Sequence, residues 1–116
     1  MPIVKSCHHI HEACTSVLRM RFVPDETLDV DSWIDGYYDG AITELISAES
    51  LYYDNDVFSS DKYKRYKRFL DDALYHVLRV GSYRKCLMDW EEEAKQAEFM
   101  IWQAGFELYK RSSEVE

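Results

Sequence analysis

Apolar residues near the start of the chain return at steps of three, four and seven. Ile3, Cys7, Ile10, Cys14, Val17 and Leu18 fall on one face of a helix from about Ile3 to Met20. Pro24 stands just beyond it as a stop, and Asp25 to Asp31 reads as a polar connection. A second helical stripe follows over about Ser32 to Ser50, made by Ile34, Tyr38, Ala41, Ile42 and Leu45. Ser32 with Asp35 has the form of a capping box at its start. Gly36 and Gly40 lie off the stripe and mark a close approach or a weak start.

Asp54-Asn55-Asp56 reads as a turn, and Ser59 or Ser60 as the cap of a third helix over about Asp61 to Val80. Its stripe is Tyr63, Tyr66, Leu70, Ala73, Leu74 and Val77, and Gly81 is the expected left-handed residue at its end. The fourth and longest helix is expected from about Ser82 to Lys110, with Tyr83, Leu87, Trp90, Ala94, Ala97, Ile101 and Leu108 inward. It carries a second stripe, Phe99, Trp102, Phe106 and Tyr109, well around from the first, so its later half is apolar almost all round. Such a helix is either central in the molecule or docks on a partner or a second copy.

The pattern predicts an all-α domain, an irregular bundle of about four helices with a long C-terminal helix, spanning residues 1–116 as one domain. Composition agrees: 47% hydrophobic residues can build a modest core, and four Gly with two Pro disfavour a turn-rich sheet protein. No basic start leads into an apolar run, and no stretch is apolar enough to span a membrane. Three cysteines, an odd number, fit reduced thiols in a cytoplasmic protein.

Charge changes the picture. The net charge is −8, which disfavours direct binding to nucleic acid or an anionic membrane. The charges are also sorted into blocks. From Phe22 to Asp61 there is no Lys or Arg, yet eleven Asp or Glu residues. Residues 62–85 then hold eight basic residues. On a helix, Asp31, Asp35 and Asp39 form a row rising about 6 Å per step, near one strand's phosphate spacing. Like charges at that step repel. The acidic block serves either as a solvated face or as a phosphate imitation that engages a basic protein surface. The contact residues expected for the second role are Asp25, Glu26, Asp29, Asp31, Asp35, Asp39, Glu49, Asp54 and Asp56, with Tyr38, Tyr52 and Tyr53 as anchors. In size, charge and helicity the chain resembles the small acidic nucleic-acid mimics encoded by bacteriophages, such as anti-restriction and anti-CRISPR inhibitors. That resemblance implies an inhibitor seated in a DNA- or RNA-binding groove. The neighbouring basic block counts against it, since it would repel the same groove.

Other chemistry is sparse. Cys7, His11 and Cys14 project from one side of the first helix and would suit zinc if Cys86 or His76 supplied a fourth ligand. Against that, both cysteines sit on the apolar stripe, where free Cys packs as a small hydrophobe. Asp54 begins a calcium-loop-like run that lacks the Gly and Glu such a loop needs, with Ser59 and Arg65 in their places. Lys62, Lys64, Arg65, Lys67 and Arg68 alternate with Tyr63, Tyr66 and Phe69, but helical geometry turns the aromatics inward and the cations outward. His76 follows Asp72 by four residues, which permits a contact between them but brings no nucleophile. No Gly-rich phosphate loop or paired Glu-x-x-His motif is present. The expectation is a non-catalytic binding protein without a cofactor, binding through the acidic block. The alternatives are an assembly or adaptor subunit docking through Phe99, Trp102, Phe106 and Tyr109, and a small zinc-binding protein.

Overall fold

The computed structural model describes residues 1–113, and side chains as far as Lys110. Four helices, α1 (Pro2–Arg21), α2 (Val30–Asp54), α3 (Lys64–Lys85) and α4 (Glu91–Ser113), pack in an up-and-down bundle measuring 49 × 24 × 20 Å. Two 3₁₀ turns, Asp56–Ser59 and Asp61–Tyr63, bridge α2 to α3. Each helix lies antiparallel to the next, and α4 closes back on α1. The expected all-α bundle is therefore the observed fold, and no strand occurs among the described residues.

Short side chains set the packing. Ala13, Ala41, Ala48, Ala73, Ala94, Ala97 and Ala104 are fully buried and let the helices approach, while Val17, Leu45, Leu70, Val77, Val80, Ile101 and Leu108 fill the space between. At the end where α2 meets α3, Phe58, Tyr63 and Tyr66 form an aromatic plug, with Tyr52 stacked on Phe58 at 5.5 Å.

Several local expectations are corrected. The α1 core stripe is Ser6, Ile10, Ala13, Val17 and Met20. It is rotated from the expected one, so Cys7 is exposed and Cys14 only half-buried. Ser32 does not begin α2. Asp29 caps it three residues earlier, accepting from the Ser32 amide at 3.0 Å, and the helix runs on to Asp54. Gly81 does not end α3 and has no left-handed backbone. A Cβ there would stand 2.1 Å from the Tyr38 hydroxyl, so its bare backbone makes room for α2. The left-handed residue is Leu87, at φ 57° and almost fully exposed. The helix expected from Ser82 is thus broken at Cys86–Trp90: Tyr83 belongs to α3, Leu87 to the connection, and α4 begins at Glu91. Asp89 accepts from the Glu91 amide at 2.9 Å, and Glu91, Glu92 and Glu93 complement the helix dipole.

A candidate docking face between α1 and α4

Where α1 crosses α4, Gly105 allows close approach, since a Cβ at that position would meet Ile10 Cγ2 at 3.1 Å. At this contact the two helices line a groove of about 430 Å³. Its walls are Cys7, Ile10, His11, Cys14, Thr15 and Leu18 from α1 and Ile101, Trp102, Gly105, Phe106 and Tyr109 from α4. No lining residue carries a formal charge with His neutral. Along its α4 edge stands a ridge of Phe99, Trp102, Phe106 and Tyr109, exposed by 54%, 62%, 62% and 70%. With about 200 Å² per aromatic side chain, these four alone offer about 500 Å² to solvent. The second stripe expected from the sequence is therefore present on the surface and is not absorbed into the core.

The acids nearest this face are turned to partners in their own chain. Arg21, at the end of α1, is 11% exposed and ion-pairs with Glu98 and, at 3.4 Å, with Glu91. Glu107 is buried and lies 3.7 Å from Arg65. Burial raises the Cys7 thiol above its ordinary value, and burial with the Glu98 charge raises Cys14. Cys7, His11 and Cys14 reach the same groove, as their spacing predicts, but among the described residues no three His, Cys, Asp or Glu side chains are grouped to hold a metal.

The expected acidic face is divided. Asp29 is consumed as the α2 cap, and the Ser32 amide holds its carboxyl below the ordinary range. Asp31 and Asp35 share the single guanidinium of Arg84 on α3, so the row that would imitate phosphates is partly offset within the chain. Glu49 turns inward, where burial and the neighbouring Asp71 push its carboxyl up to about 7. Tyr38 packs over Gly81, and burial with the Asp39 charge raises its hydroxyl. Tyr52 joins the aromatic plug, while Tyr53 is exposed beside the Lys67 ammonium, 4.9 Å from its ring. Asp25, Glu26, Asp39, Asp54 and Asp56 remain exposed without an ion pair among the described residues. Asp25 and Glu26 precede α2 and Asp54 and Asp56 lie at its far end, a helix length of about 37 Å apart.

Several residues of the basic block pair with acids of the same chain. Besides Arg84 and Arg65, Lys67 pairs with Asp71, and Arg79 lies 3.2 Å from Glu93. His76 does not meet Asp72: its Nδ1 is 2.6 Å from Glu93 of α4. Sequence reasoning missed the α1 wall of the groove, Ile10, Thr15 and Leu18, and the Gly105 approach. A glycine inside a run of large aromatics was the available sign.

No family model, curated protein or solved structure matches this chain. No helix among the described residues is long and apolar enough to cross a membrane.

Proposed function

We propose that this chain is a non-catalytic binding protein, an adaptor or assembly subunit that docks through the α1/α4 face. The observation that carries the reading is the exposed aromatic ridge beside an uncharged groove in a chain with 31% charged residues. Leaving about 500 Å² of aromatic surface in water is at the upper end of what monomers tolerate. Trp and Tyr at the centre of such a patch are the residues that usually dominate binding energy.

A second reading rests on the unpaired carboxylates Asp25, Glu26, Asp39, Asp54 and Asp56. They suit a basic protein surface, such as the nucleic-acid-binding groove of a DNA- or RNA-handling protein, in the manner of a phage-type inhibitor. Their separation along α2 and the pairing of Asp31 and Asp35 with Arg84 leave this reading the weaker one.

Affinity capture with the full chain and with Trp102→Glu, each at about 0.1 M and about 0.5 M salt, separates the two. Docking through the apolar face predicts a contact, to itself or to a partner, that survives high salt and is lost in W102E. A contact released by salt and indifferent to W102E moves the function to the carboxylates.

A further inference from the structure

The α1/α4 face carries exposed aromatic side chains and a recess side by side: Trp102, Phe106 and Tyr109 are mostly exposed and also form the α4 wall of the groove. A two-fold contact between identical chains brings such a patch against itself, the aromatic edge of each copy against the recess of the other. Charge points the same way. Two copies at −8 each repel across most of their surface, and the groove lining is a region without a formal charge. A cationic amphipathic helix would need carboxylates on the rim, but Glu98 and Glu107 are both turned to arginines of their own chain. Area fits as well. The ridge supplies about 500 Å², and the α1 wall of the groove extends it towards the roughly 800 Å² that each partner buries in a stable interface.

We propose that the occupant of the α1/α4 face is a second copy of this chain, packed about a two-fold axis so that each ridge fills the other copy's groove. This rests on the docking reading above and names its partner. In the dimer the α2/α3 sides, with Asp35, Asp39 and Arg84, face outward.

The test is sedimentation equilibrium on the full chain up to about 100 µM, a range that captures micromolar association. The expected mass is twice the 13.8 kDa of one chain. Raising salt should leave association unchanged or strengthen it, because it screens the repulsion between acidic copies. Two variants break the contact from opposite sides. Phe99→Glu spoils the ridge and leaves the groove lining intact, because Phe99 is not part of it. Thr15→Trp fills the groove and leaves the ridge intact. Each should weaken self-association by roughly thirtyfold or more. Neither position is in the core, and circular dichroism with thermal melting confirms that each variant is folded.

Mixing the two variants is the sharper arm. A heterodimer seats the intact ridge of T15W in the intact groove of F99E, so the mixture should associate more tightly than either variant alone. A mixture no tighter than its components overturns the ridge-in-groove arrangement. A wild type that stays monomeric overturns the dimer, as does a dimer indifferent to both variants. The docking reading itself falls on a different result, capture that is unaltered by W102E.

Discussion

Glu49 shows how one residue's surroundings shape the behaviour of the molecule. Burial and the adjacent Asp71 hold its carboxyl at about 7, against an ordinary value of 4.5. Between those values the folded chain binds more protons than the unfolded chain, so this residue's contribution to stability declines as pH rises from about 4.5 to about 7, and above that it stays lost. Glu49→Gln should therefore raise the melting temperature at pH 8 by roughly 2–4 °C and leave it nearly unchanged at pH 4. A gain of equal size at both pH values would show that the charge is not the cause. Gly81 makes a different residue-scale argument. Gly81→Ala places a methyl against the Tyr38 ring and should destabilise, although Ala is the better helix former by about 1 kcal/mol. In a Tyr38→Ala background the obstruction is gone, so the same substitution should stabilise. Chemical denaturation of the four proteins in the cycle reads the change of sign.

Among elements, α2 is the most exposed to local tests. Its Asp29 cap bonds both the amide and the hydroxyl of Ser32, and Asp29→Ala should lower the midpoint of urea unfolding. Gly36 is inside the same helix with open space around its Cα, so Gly36→Ala should gain about 0.5–1 kcal/mol. The apolar steps of three and four were enough to place all four helices, because burial of a stripe dominates helix formation in a bundle. Their ends were less legible. Ser32 and Asp29 are both good cap residues three positions apart, and only the backbone decides between them. Gly81 looked like a helix end because its usual role there is conformational, whereas here it gives room to a tyrosine 43 positions earlier, a contact no local pattern encodes. The ridge was legible as a second stripe on one helix. The groove was not, since it exists only when α1 lies beside α4. For the same reason the partner of the acidic row within the chain had no local sign: Arg84 comes from α3.

At the scale of the whole molecule, the bundle separates a groove without formal charge, between α1 and α4, from a polar α2/α3 side. The latter has a cleft of about 530 Å³ lined by residues that include Asp35, Tyr38, Arg84 and Lys85. Part of the basic block follows the same sorting: Arg65, Arg79 and Arg84 of α3 pair with acids on α4 and α2. Three of the four helix seams join neighbours in sequence; the α1/α4 seam joins the first helix to the last. That ordering has a kinetic consequence. The α1–α2 and α3–α4 hairpins can form locally, while closing α1 on α4 pays the largest loop entropy and is expected last. Arg21, which pins the end of α1 to Glu91 and Glu98, is then expected to lock the seam once it has closed. Arg21→Ala should speed unfolding severalfold in stopped-flow experiments and leave the folding rate nearly unchanged. The seam that forms last during folding would also open first, so the lifetime of the closed bundle sets how long the ridge and groove persist as one surface.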